Sequence, residues 1–409
     1  MEILIDTINE SLCAAALEKG HVLEALEIDP EFEQIRHGTI YMGRVDRIDA
    51  TQNTAYVNLG NKLQGYLNAK DARYLGGKTD KSLPQWLNNG DLVIVQAQDG
   101  RISPRIGAVN GAYDDYEDKL VRLTMDITLP GRFTLYAPYR QKNTISSRIT
   151  DKALRSQLET MIDAEKMQGV VLRAATAHIQ NEMIVREYKL LSQIWTAILN
   201  NLPIENKARP VLSGPDAVMR MLSNQAMNTI ERIEICGDVR FELAQNWCVQ
   251  FAPDLVSKLI LSDIDAQHRI DAGLLENRGV LTPIEDLYRP YAVLANGCSL
   301  IIEHTAALTA IDVNRGGASG SPSEINKQVA KEVMRQIRLR NLSGIIIIDY
   351  LKMNSAPDKQ ALTKLSQELA LLDPYTVQVH GLTKLGLMEI TRARRTPPLA
   401  ERLNSVIQG

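Results

Sequence analysis

Residues 308–349 read as strand, helix, strand, and that order points to an open α/β sheet. In AALTAIDVN the period-two geometry of a strand puts Leu308, Ala310, Asp312 and Asn314 on one side. In SGIIIIDYL four consecutive isoleucines predict a strand buried on both faces, with Asp349 at its C-terminal edge. The helix between them is well signalled. Ser321 is an N-cap, Pro322 suits the first helical position, and Glu324 completes an S-x-x-E capping box. Ile325, Val329, Val333 and Ile337 follow at steps of four as one buried stripe. Lys327, Lys331, Arg335, Arg338 and Arg340 form a basic face against Glu324 and Glu332. Such a face is either a solvated surface or a contact surface for backbone phosphates.

Two strands joined through a helix can bring Asp312 and Asn314 beside Asp349 at the sheet edge where open α/β sheets hold ligands. A carboxylate directly after an apolar run caps a helix or turn, forms an ion pair, or binds a cation, because a lone buried charge is expensive. Position and spacing leave all three open. As a cation site, a sparse Asp/Asn/Asp set suits Mg²⁺, which keeps most of its waters and takes one or two carboxylates plus a substrate phosphate oxygen. That ion would activate a water and neutralise charge at a phosphodiester. NRGGASGSP, after Asp312, lacks G-K-[ST] and is not a P-loop.

The rest of the 409 residues sets the context. Length predicts two or three domains, and 44% apolar with 23% charged residues excludes a wholly disordered or fibrous chain. The net charge of −3 shows no bulk positive field, so any nucleic-acid partner must meet local basic surface. Cys13, Cys236, Cys248 and Cys298 are far apart and contain no C-x-x-C, which predicts reduced core thiols. MEILIDTINESL carries acids where a secretory signal needs a basic start, and no window approaches the length of a membrane helix, so a cytoplasmic location is expected. Residues 1–60 and 91–98 read as strands, DKALRSQLETMIDAE and EMIVREYKLLSQIWTAILNNL as helices, and PDLVSKLIL as mostly helix. LPIENKARPVLSGPDA, with Pro203, Pro210 and Pro215, reads as a linker with a boundary near 210–218.

IIEHTAALTAIDVNRGG, RQIRLRNLSGIIIIDYLKM and GLMEITRARR resemble the catalytic region of the ribonuclease E/G family. EKGHVLEALEID, GTIYMGRVDRIDATQNTAYVNLG and QGYL resemble its N-terminal segment and RNA-binding barrel. LTMDITLPGRFTLYAP, ISSRI and GVVLRAA resemble its 5′-end sensor. The resemblance spans residues 1 to about 396, and the short form is similar to ribonucleases of the G type. It implies an α/β multidomain fold: an RNase H-like subdomain split over residues 1–34 and 216–285, an OB-fold RNA-binding barrel of the ribosomal protein S-one type at 35–125, a 5′-sensor region at 126–215, a DNase I-like α/β catalytic subdomain at 286–396, and a tail at 397–409.

The resemblance also implies a magnesium-dependent endoribonuclease of single-stranded RNA, acting in rRNA maturation or mRNA turnover and leaving 5′-phosphate and 3′-hydroxyl ends. Asp312 and Asp349 would hold Mg²⁺, with Mn²⁺ able to substitute, and Asn314 would support them or the scissile phosphate. Tyr56 and Tyr66 match base-stacking aromatics and Lys119 an RNA contact; Gly131, Leu135 and Arg173 match the 5′-end sensor. Three departures bear on this. TPPLAERLNSVIQG has no cysteine where larger members carry a C-x-x-C zinc link, so no zinc is expected, a zinc-linked tetramer is not expected, and a homodimer is left open. Lys352 stands where related enzymes often have an acid. Ala174 replaces the threonine that normally follows the sensor arginine, with Thr176 as a candidate stand-in. The rival functions are an RNA-binding or rRNA-assembly factor without useful turnover and a metal-dependent DNA nuclease.

Overall fold

Asn9 and Glu10 both take positive φ, 49° and 63°, the geometry of a two-residue turn whose twist matches the strands it joins. That turn folds Glu2–Ile8 back on Ser11–Glu18, and Val22–Ile28 follows as the next antiparallel strand. Asn61 and Lys62 repeat the device, at 51° and 64°, between Thr54–Gly60 and Leu63–Asn68. The computed structural model describes residues 1–19, 21–74, 77, 80–102, 120–201, 207–225, 230–264, 271–305 and 307–403. The chain divides into two compact units: Met1–Glu31, Ile230–Ala244 and Lys258–Gly409 make one, Phe32–Thr229 and Gln245–Ser257 the other.

The first unit holds two sheets. One has five strands in the order Leu259–Leu261, Arg232–Ile235, Glu2–Ile8, Ser11–Glu18, Val22–Ile28, parallel over the first three and antiparallel over the last three. Leu4, Leu17 and Ile28 pack under it with Leu274, Leu275 and Leu339. PDLVSKLIL, expected as mostly helix, ends in the strand Leu259–Leu261, because Ile260 and its neighbours pair with Ile233–Ile235.

The second sheet has six strands in the order Tyr291–Val293, Ser299–His304, Leu308–Asn314, Gly344–Asp349, Met388–Arg392, Val377–Leu382. Leu308–Asn314 and Gly344–Asp349 are parallel neighbours joined through the helix Pro322–Leu339. The Ser321–Glu324 capping box forms as expected. Its apolar stripe, with Leu362 from the helix Ala356–Ala370, covers one face of the sheet. The expectation of a doubly buried isoleucine strand is corrected: Ile346 and Ile348 are fully buried, but Ile345 is 49% exposed. Among the described residues the two helices pack on the face of Ile346 and Ile348, which leaves Ile345 exposed and Ile347 half-buried on the other.

The basic helix face is also corrected. Arg335 donates to the Leu23 carbonyl and to Glu332, Arg338 pairs with Glu24, and Arg340 donates to Gln336 and to the carbonyls of Arg289 and Tyr291. These guanidiniums tie the helix to its own unit, leaving only Lys327 and Lys331 of that set exposed. Arg392, within the basic GLMEITRARR run, is buried and bonded to Asp373 at 2.9 Å and to Asn341 at 2.9 Å.

In the second unit five strands close into a barrel: Ile40–Asp49, Thr54–Gly60, Leu63–Asn68, Val121–Thr124 and Leu92–Ala97, which pairs back onto the first. Val57, Leu59, Leu67, Val95 and Leu123 fill it. Gly65 is required by closeness, since a Cβ there would stand 2.7 Å from the Leu123 side chain. The proline-rich segment expected as a linker instead supplies the strand Arg209–Leu212, paired with Ile40–Met42. A small sheet of Leu129–Pro130, Thr134–Tyr136, Val170–Leu172 and Thr144–Ile145 packs with the helices Lys152–Ala164 and Asn181–Asn200. Among the described residues no helix is long and apolar enough to cross a membrane.

Candidate functional site

Asp312 and Asp349 are register partners on adjacent parallel strands, so their carboxylates leave the same face of the sheet side by side. That face is opposite the one where Ile311, Val313, Ile346 and Ile348 meet the helices, and both acids are exposed. Asn314, two residues along and on the same side, donates its Nδ2 to the Asp312 Oδ2 at 2.9 Å, orienting both side chains. The stretch after Asp349 is clamped from below. Asn326, fully buried in the helix stripe, donates to the Leu351 carbonyl at 2.8 Å and accepts from the Leu351 N–H at 3.1 Å. An Asn inside an apolar stripe was the available signal, since a buried amide needs partners. Lys352 is exposed. Among the described residues no group of three or more His, Cys, Asp or Glu side chains is placed to hold a metal. The local donor set is therefore two carboxylates and one amide oxygen in solvent, hard ligands that leave most coordination positions to water and substrate.

The barrel presents a second arrangement. Tyr56 and Tyr66 are direct cross-strand partners, both half-buried, on the outer surface opposite Val57 and Leu67. Arg122 lies beside Tyr66 on the next strand and is held by Asp71 through bonds of 3.0–3.1 Å. Arg47, beside Tyr56 on the other flank, lays its guanidinium 3.6 Å from the Tyr56 ring centroid. The result is a row of Arg, Tyr, Tyr, Arg across four neighbouring strands. Lys119 lies outside the described residues.

Gly131, Leu135 and Arg173 come together in the small sheet. Leu135 pairs with Val171, the Arg173 N–H donates to the Phe133 carbonyl at 2.8 Å, and the Arg173 Nη1 donates to the Gly131 carbonyl at 2.8 Å. The turn between them closes around a carboxylate that sequence reasoning missed. Glu187 accepts from the backbone N–H of Arg132 at 2.6 Å, Phe133 at 2.9 Å and Thr134 at 2.6 Å, and from the Thr134 hydroxyl at 2.8 Å. Glu187 is 3% exposed, and burial pushes its pKa up even against these four donors. A Cβ on Gly131 would fall on its carboxyl group, so only glycine lets the turn approach this closely. The signal was an acid within the stripe of Ile184, Leu191, Trp195 and Ile198. Ala174 is buried, and Thr176, the candidate stand-in for the missing hydroxyl, is 1% exposed and donates to the Arg173 carbonyl at 2.7 Å.

A barrel with paired outward aromatics and an α/β sheet with paired carboxylates fit the expected family, and comparison with known proteins shows it. The profile of the ribonuclease E/G family matches residues 128–395, more than half of the chain, and the chain belongs to that family. It is similar to ribonuclease G of Haemophilus influenzae, 26% identical over 411 residues that cover 96% of this chain and 79% of that protein. It is likewise similar to ribonuclease G of Escherichia coli strain K12, 27% identical over 410 residues covering 96% of this chain and 80% of that protein. To ribonuclease E of Synechocystis it is 27% identical over 401 residues, 95% of this chain and 56% of that protein.

Proposed function

We propose that the protein is an endoribonuclease that hydrolyses single-stranded RNA in RNA processing or decay, with Mg²⁺ as its ion and Mn²⁺ as a substitute. The observation that carries this reading is the register pairing of Asp312 with Asp349 on an exposed sheet face. Family membership supports the substrate class. The strand order of the five-stranded mixed sheet supports reading it as RNase H-like, the closed barrel as an OB-fold of the ribosomal protein S-one type, and the six-stranded sheet as DNase I-like.

Asp312 and Asp349 would hold the ion, and their chemistry fits it: two hard oxygen donors open to water suit a cation that keeps most of its own waters. Bound there, it would supply a water acidified for attack and neutralisation of charge at the scissile phosphate. The protein's own contribution is orientation. Asn314 fixes the Asp312 carboxylate through its 2.9 Å bond, and Asn326 fixes the chain just beyond Asp349. Tyr66 offers a ring face on which an unpaired base can stack, a mode that accepts single strands and tolerates any sequence. Arg173 supplies charge suited to a 5′-monophosphate. The products on this reading are a 5′-phosphate and a 3′-hydroxyl.

Lys352, exposed three positions after Asp349, is the observation that favours a second reading, an RNA-binding factor without turnover. Matched single-stranded RNA and DNA oligonucleotides in Mg²⁺ or Mn²⁺, with end analysis of the products, separate the readings. Internal cuts in RNA alone, with 5′-phosphate ends, support the endoribonuclease. Cutting of DNA supports a DNA nuclease. Binding of RNA with no cutting in either metal supports the binding factor.

A further inference from the structure

Tyr56 and Tyr66 differ in one respect that bears on how RNA would meet the barrel. Tyr66 has no cation over its ring among the described residues, whereas the Arg47 guanidinium stands 3.6 Å from the Tyr56 ring centroid. Arg47 is exposed, and among the described residues the ring is its only partner. The acids nearest along its own strand are committed elsewhere: Asp46 accepts from Gln64 at 2.9 Å, and Asp49 accepts from the backbone N–H of Thr51 and Gln52 at 2.9 and 3.0 Å. Arg122, the matching cation on the far flank of Tyr66, is neutralised by Asp71 through three hydrogen bonds. Among the described residues the row therefore carries one guanidinium with no acid partner, seated over an aromatic ring that lies directly across from the second tyrosine.

A guanidinium seated over a ring keeps its N–H donors at its edge, so it can meet phosphate oxygens at a smaller ordering cost. Its uncommitted face can also stack on a base, as the ring face it covers could not. We propose that Arg47 is a further RNA-contacting residue, and that Arg47 and Tyr56 act as one unit: Tyr56 seats the guanidinium, which binds the phosphate and stacks on the base of one nucleotide, while Tyr66 stacks the base of a neighbouring one. This rests on the reading of the barrel as an RNA-binding surface. It assigns Tyr56 a different job from Tyr66, because one face of Tyr56 is already covered.

The test is binding of a fluorescent single-stranded RNA oligonucleotide to the full chain over a range of salt, for wild type, Arg47→Ala, Arg47→Lys, Tyr56→Ala, Tyr66→Ala and the Arg47→Ala/Tyr56→Ala double variant, with circular dichroism as the fold control. Arg47→Ala is expected to weaken binding by about threefold to tenfold and to reduce the slope of log affinity against log salt by about one. Arg47→Lys should keep the slope and lose part of the affinity, since the ammonium carries the charge but not the plane. The double variant should bind no more weakly than the poorer of its two single variants by more than about twofold, the signature of residues acting together. A purely structural role for Arg47 would leave the salt slope unchanged, and an unchanged affinity and slope in Arg47→Ala alongside weakened binding in Tyr66→Ala overturns the inference alone. Additive losses in the double variant also overturn it, because two independent contacts would then be present. If wild type binds no single-stranded RNA, or if neither tyrosine variant weakens it, the reading of the barrel fails and the inference with it.

Discussion

Asp312 stands directly across from Asp349 on adjacent parallel strands, and Asn314 is bonded to Asp312 rather than to the chain around it. Asn314 is thereby an orienting group for a carboxylate, and where such a carboxylate holds a metal, loss of the orienting group costs about 10- to 100-fold. Asn314→Ala is expected to lower the rate of RNA cleavage by about that factor, short of the loss caused by Asp312→Asn. Single-turnover rates check it. A rate equal to wild type would remove Asn314 from the site, and a loss as complete as that of Asp312→Asn would make it a primary ligand.

Stacking of a base on an aromatic ring is worth roughly 1–3 kcal/mol. Tyr66→Ala is therefore expected to weaken single-stranded RNA binding by about tenfold without altering the circular dichroism, since Tyr66 lies on the outer surface and the barrel is filled by Val57, Leu67 and Leu123. Titration of a labelled oligonucleotide measures it. Unchanged affinity would return Tyr66 to a packing role.

The Glu187 cradle makes a stability prediction. Four donors converge on one buried carboxylate, and removing an acceptor from such a set leaves buried N–H groups unpaired at about 1–3 kcal/mol. Glu187→Leu should lower the melting temperature by several degrees and should do so more than Glu187→Gln, which retains one acceptor oxygen. Gly131→Ala should destabilise as well, because its Cβ has no room beside that carboxyl group. Thermal scans of the three variants decide the order.

Much of the C-terminal site was legible in advance, for identifiable reasons. Period-two alternation put Asp312 and Asn314 on one side, and the capping box at Ser321 marked the helix that brings Asp349 alongside. Burial was read less well. Four isoleucines in a row look the same whether one face or two are covered, and only the position of the two helices shows that Ile345 is exposed. The charge of Arg335 and Arg338 was visible, but not their partners Leu23 and Glu24, which are some 310 positions away in sequence. The strand Arg209–Leu212 was hidden because prolines signal loops, yet an edge strand tolerates Pro210. Glu187 was overlooked because an acid in an apolar stripe shows only that a partner is needed, not that the partner is a turn more than fifty residues away.

Asp126 supplies a pH test. Burial pushes its pKa up, but the guanidiniums of Arg140 and Arg73, at 2.9 and 3.0 Å, more than offset this and hold it below the usual value. A depressed folded-state pKa means stability that is present above the unfolded value of about 3.9 and is lost as pH falls through the folded one. Asp126→Asn is expected to lower the melting temperature at neutral pH, with the gap to wild type closing as pH falls below the unfolded-state value of about 3.9. A gap that stays constant across that range would show that the ion pairs are not its source.

End recognition gives a further prediction. Arg173 keeps its charge, Ala174 offers no hydroxyl, and Thr176 spends its own on the Arg173 carbonyl. A charge-assisted hydrogen bond is worth about 1.5–3 kcal/mol. Wild type should therefore show a weak preference for 5′-monophosphorylated over 5′-hydroxyl RNA, and Ala174→Thr should strengthen it. The ratio of cleavage rates on the two substrates measures this. A strong wild-type preference that Ala174→Thr does not raise would mean that the hydroxyl is not limiting.

Cleavage of one single-stranded RNA oligonucleotide by wild type, Asp312→Asn and Asp349→Asn, followed alongside binding of the same oligonucleotide, addresses the paired carboxylates themselves. In Mg²⁺ the wild type should cut internally, and each variant should lose cleavage while its RNA affinity stays within a few fold. Substantial cleavage by both single variants, at unchanged affinity, would contradict the assignment of the site to Asp312 and Asp349.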